Sequence, residues 1–266
     1  MAALKACSVE TAVAEPLLHI DGLTRRFGGV LATDGVTLSI PRGEFHAVIG
    51  PNGAGKTTLI GLLAGEIAPQ GGSIHFDGAD ITRLPTFRRS QRGLARSFQI
   101  TSLFPEFTAL DNLALAVQAH AGHSFRFFAD ARRDPTLREP ARAALERVGL
   151  GARADTRVEV LSHGERRQLE IAMALATAPR LLLLDEPMAG MGPDESARML
   201  SLLRELKGSV TILLIEHDME AVFALADRIT VLVYGRIIAC GAPAAIRTDA
   251  AVREAYLGDD DGGAHG

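Results

Sequence analysis

Phe45-His46-Ala47-Val48-Ile49 runs directly into Gly50-Pro51-Asn52-Gly53-Ala54-Gly55-Lys56-Thr57-Thr58. The first five residues carry no acid, Lys or Arg and suit a strand covered on both faces. The residues after the glycines repeat at helical spacing, so strand, loop and helix are expected in that order, the helix over 56–67. In this setting the pattern GxxxxGK[ST] has a physical meaning. Glycines let successive backbone N–H groups turn toward one point, and the start of the helix adds partial positive charge there. Lys56 sets an ammonium against the β- and γ-phosphates of a nucleotide, and Thr57 offers a hydroxyl to Mg²⁺. Gly50, Pro51, Asn52, Gly53, Ala54 and Gly55, with Lys56 and Thr57, are therefore read as a triphosphate cradle.

Outward from this loop the hydrophobic period keeps changing. Strands are expected at 44–49, 73–76, 181–184, 210–215 and 228–233, with helices at 109–119, 137–148, 165–176 and 194–206 among them. Strand alternating with helix predicts an α/β fold with a parallel sheet covered on both faces. Two regions break the alternation. Residues 17–50 and 73–78 read as short strands joined by glycine turns, an antiparallel β subdomain. Residues of about 106–178 hold helices with no strand between them, a helical subdomain inserted in the α/β core. Residues 1–15 and 259–266 read as tails around a single domain over 16–258.

The composition narrows the class. In 266 residues, 47% are hydrophobic and 23% charged, enough to build a core. The 28 basic and 32 acidic residues leave a formal charge of −4, which gives no general attraction to nucleic acid. Arg88, Arg89, Arg92 and Arg96 read as a solvated basic face, since no aromatic platform interleaves them. Cys7 and Cys240 are the only cysteines; with no CxxC and no Cys/His cluster, neither a disulfide scaffold nor a zinc site is expected, and a reducing compartment fits. No apolar run reaches the ~18 residues of a membrane span, so a soluble protein is expected.

Leu181-Leu182-Leu183-Leu184-Asp185-Glu186-Pro187 is a buried strand that ends in two acids. The carboxyl ends of parallel strands are where α/β folds hold ligands. Asp185 is the candidate partner of Mg²⁺, and Glu186, one residue on, the candidate general base for an attacking water. Leu161-Ser162-His163-Gly164-Glu165 precedes the helix carrying Leu169, Ala172, Met173 and Ala176. Ser162 and Glu165 satisfy a helix capping box, and the helix start they define is also a second place for an anion.

Taken in order, the phosphate loop, Gln99, Leu161–Glu165, Asp185-Glu186 and His217 resemble the motif series of the ATP-binding cassette (ABC) ATPases, over residues of about 17–257. The resemblance implies a P-loop NTPase core and a head-to-tail dimer holding two ATP molecules, each between one subunit's phosphate loop and the other's Ser162 and Gly164. It also implies that Phe27 stacks on adenine and that Thr58 touches the α-phosphate. Gln99 would reach Mg²⁺ and the attacking water, and His217 the γ-phosphate. His163 stands where the family usually has Gly, and Met188–Asp194 replaces its usual loop. Phe27-Gly28-Gly29, Arg96-Ser97-Phe98-Gln99, Ala189-Gly190-Met191, Glu216-His217-Asp218-Met219 and Glu254-Ala255-Tyr256-Leu257-Gly258 are similar to the cassettes of branched-chain amino-acid importers and of urea and amide importers. That likeness implies an ATP-hydrolysing importer subunit on the cytoplasmic face of the membrane, a second cassette (identical or related), two transmembrane permeases and, indirectly, a solute-binding protein. A soluble single-cassette ATPase of the assembly-factor type and a lipopolysaccharide-export cassette share much of the pattern. Six of the eleven phenylalanines (98, 104, 107, 125, 127 and 128) fall between residues 98 and 128, either as a core or as an apolar patch that receives a permease helix.

Overall fold

The computed structural model describes residues 15–97, 103–121 and 134–257. They divide into two units, one holding the chain up to Arg89, Leu183–Glu186 and the chain from Lys207 onward, the other Ser90–Leu182 and Pro187–Leu206.

In the first unit, β1 (Leu18–Phe27) and β2 (Val30–Ile40) form an antiparallel hairpin. Helix α1 (Lys56–Ala64) follows β3 (Phe45–Ile49), and then come β4 (Gly71–Phe76) and β5 (Ala79–Asp80). One sheet has the order β2-β1-β4-β5, every pairing antiparallel. The short strands expected between 17 and 50 are longer, 10 and 11 residues in β1 and β2. Gly22 and Gly35 adopt positive φ inside them while the pairing register shifts, so a glycine here bulges a strand without ending it.

Strand β3 is buried at all five positions, as its composition predicts. Helix α1 stops at Ala64, short of the expected 67, because Gly65 turns left-handed (φ 81°) and its N–H closes back on Leu62 O. The carbonyls this stop leaves over meet Arg89, at the end of the unit. Arg89 is 2% exposed, which corrects the reading of a solvated face at this position, while Arg88 and Arg92 are exposed as expected. Its Nη1 donates to the carbonyls of Leu62 and Leu63 at 2.7 Å each, and its Nε and Nη2 to those of Leu84 and Thr82. Helix ends need donors for their last carbonyls, and a guanidinium offers several in a fixed fork.

Helix α2 (Thr86–Gln91) carries the chain into the second unit, where β6 (Leu94–Arg96), α3 (Ala109–Ala121), α4 (Pro135–Arg147) and α5 (His163–Leu175) follow one another. Leu110, Leu113, Leu137, Leu145 and Leu169 are buried here. Strand β7 (Leu181–Asp185) ends in the first unit, and α6 (Pro193–Leu206) returns to the second. The first unit then closes with β8 (Thr211–Ile215), α7 (Met219–Leu225), β9 (Arg228–Val233), β10 (Arg236–Gly241), α8 (Pro243–Thr248) and α9 (Ala250–Leu257). Its second sheet runs β10-β9-β3-β8-β7. Strand β3 lies parallel to β8 and β9, with Val48 opposite both Ile215 and Thr230. The carboxyl ends of β3 and β8 therefore emerge side by side.

Candidate functional site

The loop after β3 can take its shape only with glycine at two places. A Cβ on Gly50 would stand 2.0 Å from Leu232 O, and one on Gly55 (φ 102°) 2.0 Å from Ala32 O. The loop is thus pressed between β2 and β9 at both ends. Gly235 N donates to Ala54 O (2.9 Å), which ties the loop to the turn between β9 and β10. Between these fixed ends Asn52 and Gly53 are exposed, with nothing near the position a Cβ on Gly53 would occupy. Pro51 and Thr58 are half-buried, Ala54 is buried and Thr57 is exposed at the start of α1. Lys56 folds back over its own loop, Nζ donating to Gly50 O at 2.6 Å and to Pro51 O at 3.0 Å. Burial pushes this ammonium below its usual range, while the charges of Glu186 and Asp185 pull the other way. Two acids therefore face the lysine that the loop presents.

Asp185 is the last residue of β7 and 4% exposed. Glu186 breaks from the strand into the left-handed region at φ 48°, uncommon for a residue with a Cβ. Its N–H still donates to Ile215 O at 2.9 Å, so the turn is clasped to the end of β8. The effect is to send the two neighbouring carboxylates into different surroundings: that of Asp185 is buried, that of Glu186 is 41% exposed. His217 stands beyond β8 with its ring 67% exposed and Nδ1 4.0 Å from Glu186 Oε1. The phosphate loop, Asp185, Glu186 and His217 all belong to the first unit.

Mg²⁺ fits this donor set. Among the described residues no three His, Cys, Asp or Glu side chains cluster as a metal cage. A hydroxyl and one buried carboxylate beside a phosphate seat are what Mg²⁺ uses, since it keeps water and phosphate oxygens as its other ligands. Phe27 closes β1 with its ring 43% exposed, and the Arg25 guanidinium lies 4.7 Å from the ring centroid. Gln99 lies outside the described residues.

In the second unit, Ser162 caps α5 in the expected box. Ser162 Oγ accepts from Glu165 N (3.2 Å), and Glu165 Oε2 accepts from Ser162 N (2.8 Å). A second acid here has no local signal in the sequence. Glu195 Oε1, from the first turn of α6, accepts from Ser162 Oγ at 2.8 Å and from Gly164 N at 3.2 Å. Those bonds hold the Glu195 carboxyl below its usual range, the Ser162 bond most. A Cβ at position 164 would lie 2.8 Å from the Glu195 carboxyl carbon, so a larger residue there would have to move this carboxylate. A cleft of about 750 Å³ opens beside Ser162, lined in part by Glu165, Gln168, Glu195 and Arg198. His163 and the loop after the acids, the two departures from the family pattern, meet: His163 Nε2 lies 3.1 Å from Ala189 O.

A family model described as ABC transporter matches residues 33–189, more than half of the chain. A second, described as branched-chain amino acid ATP-binding cassette transporter, matches residues 236–262. The high-affinity branched-chain amino acid transport ATP-binding protein BraF of Pseudomonas aeruginosa is 41% identical over 256 residues, 93% of this chain and 100% of BraF. LivG of Escherichia coli, of the same description, is 39% identical over the same shares. Among solved structures, the ADP conformation of an ATP-binding cassette from an ABC transporter superposes with a TM-score of 0.81 at 30% identity, over 92% of this chain and 100% of that one. A phosphate loop, an acid pair split by a left-handed turn and an exposed histidine, on a chain matched nearly end to end by such relatives, place the protein in the ABC transporter family as one of its ATP-hydrolysing cassettes.

Proposed function

We propose that two cassettes, this chain and a second copy or a close relative, bind ATP head to tail and drive uptake of branched-chain amino acids through two permeases fed by a solute-binding protein. The observation that carries the chemistry is the left-handed Glu186: an exposed carboxylate, turned away from buried Asp185 and 4.0 Å from His217 Nδ1.

In this reading the phosphate loop cradles the triphosphate from Gly50 to Thr58. The Lys56 ammonium leaves the carbonyls of Gly50 and Pro51 for phosphate oxygens. Adenine stacks on the exposed face of Phe27. Thr57, Asp185 and Gln99 hold Mg²⁺, which when bound neutralises charge on the terminal phosphates. Glu186 accepts a proton from the attacking water, and His217 donates to the γ-phosphate. Ser162 and Gly164 of the facing cassette supply hydroxyl and amide donors from the other side. Release of phosphate removes the charge that bridges the two copies, and the pair loosens.

The substrate and the partners rest on the names of the relatives and on the match at 236–262. A docking place for a permease is supported in the second unit. Phe104 and Phe107, 54% and 37% exposed, stack 5.4 Å apart. Phe107 also lines a hollow of about 180 Å³ with Ala114, Leu115 and Leu137, and with Asp111, Gln118 and Arg138 at its polar side. Phe98, Phe125, Phe127 and Phe128 lie outside the described residues. Among the described residues no helix is long and apolar enough to cross a membrane, so attachment at the cytoplasmic face is assigned to the permeases.

The test is Glu186→Gln, with the chain co-expressed with permeases. ATP binding is expected to persist while turnover falls about 10²–10⁴-fold, a dimer accumulates on sizing with ATP, and uptake of labelled leucine stops. Wild-type turnover in this variant would sink the mechanism. Normal turnover in the native assembly without leucine, isoleucine or valine uptake would sink the substrate assignment alone.

A further inference from the structure

Glu216 sits between β8 and His217 and has no role in the scheme above. Four residues of the strand before it are aliphatic, and the side chain continues that inward face, leaving Glu216 1% exposed. A buried carboxylate is costly unless it is partnered. Its Oε2 accepts the backbone N–H of His217 at 3.0 Å and lies 3.7 Å from His217 Nδ1. The same nitrogen is 4.0 Å from Glu186 Oε1. One ring nitrogen thus stands between two carboxylates of opposite character. That of Glu216 is packed and held, whereas that of Glu186 is 41% exposed on a strained turn. Both separations exceed hydrogen-bond length, and catalytic contacts of this kind tighten on binding.

The choice has consequences. If Nδ1–H goes to Glu186, the base is engaged by the very residue that should face the phosphate. If it goes to Glu216, the ring is fixed by a group that takes no part in the chemistry. We propose that Glu216 is a positioning residue for hydrolysis: its buried carboxylate takes Nδ1–H of His217, holds that tautomer, and leaves Nε2 for the terminal phosphate and Glu186 for water. A carboxylate that orients a working imidazole through its second nitrogen is sound chemistry wherever one nitrogen must stay available. In the tautomer so held, neutral His217 offers an acceptor at Nε2. Carrying a proton, the same nitrogen is the donor to the phosphate. The inference rests on the roles given above to Glu186 and His217.

The test reads the ring directly. Side-chain ¹⁵N correlation spectra of the full chain labelled at histidine, with His217 assigned from its loss in His217→Ala, report the tautomer at alkaline pH. The Nδ1–H form is expected in the wild type. In Glu216→Gln, which removes the charge and keeps the shape, that form is expected to lose its majority. The same variant should show kcat about tenfold lower or less, with KM for ATP within about twofold. A wild-type ring in the Nε2–H form overturns the proposal whether or not Glu216→Gln folds. So does a Glu216→Gln variant that loses kcat with its tautomer unchanged, or that changes neither. Failure of the catalytic scheme would be visible separately, as undiminished turnover in Glu186→Gln.

Discussion

Lys56 shows how a single residue is held ready. Its ammonium is partly desolvated and satisfied by two carbonyls of its own loop, while two acids act on it from β7 and the turn beyond. A triphosphate offers more charge than those carbonyls, so the bonds are exchanged on binding instead of being made from an unpaired state. Lys56→Ala is therefore expected to weaken nucleotide binding itself, by about tenfold or more, measured by titration with a fluorescent ATP analogue. Glu186 is the complementary case. Neighbouring side chains on a regular strand point to opposite faces, so the sequence alone separates Asp185 from Glu186; the left-handed backbone at Glu186 is not written in its residue type and emerges only when the turn is clasped to Ile215 O. His163 shows the same limit. It stands where the family usually has Gly, and only the structure shows its ring on the carbonyl of Ala189.

At the scale of elements, what was legible follows from burial and period. Strands β3, β7 and β8 are buried throughout and nearly uniform in composition, and the positions expected for them are within a residue or two of those observed. The cap of α5 was legible as well, because Ser162 and Glu165 carry it locally. What was missed depends on distant partners. Arg89 reads as one more surface cation until the carbonyl end of α1 is folded against it. Glu195 is separated by 33 residues from the serine it meets. Strand β6 is three residues long, too short for a period to show. Helix α5 also carries a buried acid that invites a pH test. Burial pushes the Glu170 carboxyl up, opposed by Arg167 at 2.9 Å. A carboxyl raised in the folded state binds its proton more tightly there, so its contribution favours folding at low pH and turns unfavourable as pH rises through the carboxylate range. Glu170→Gln is expected to raise the melting temperature at pH 7, with the gain shrinking as pH falls toward 4.5, the usual value for this group. Thermal unfolding followed across that range checks the sign.

The whole molecule, in the proposed pair, makes one active site from two chains. Ser162→Arg is expected to leave ATP binding to each chain intact and to abolish hydrolysis. Mixed with Lys56→Ala, it should recover part of the activity, because one of the two sites in the mixed pair keeps an intact loop and an intact helix start. Steady-state hydrolysis across mixing ratios measures that recovery, and its absence would count against shared sites. The apolar face of the second unit belongs to the same scale. Replacing Phe104 and Phe107 together by Ser is expected to cut copurification with permeases severalfold while ATP binding stays within about twofold, since the phosphate loop and its lysine belong to the other unit.

The carboxylate of Glu195 gives this pairing a particular character. It keeps Ser162 Oγ and Gly164 N aimed at a negative oxygen within a single chain. In the proposed pair, a phosphate brought by a facing chain would meet donors that are already aligned, and its arrival would be a swap of one anion for another. The displaced acid would return when the phosphate departs, so that the surface would not be left bare between turnovers.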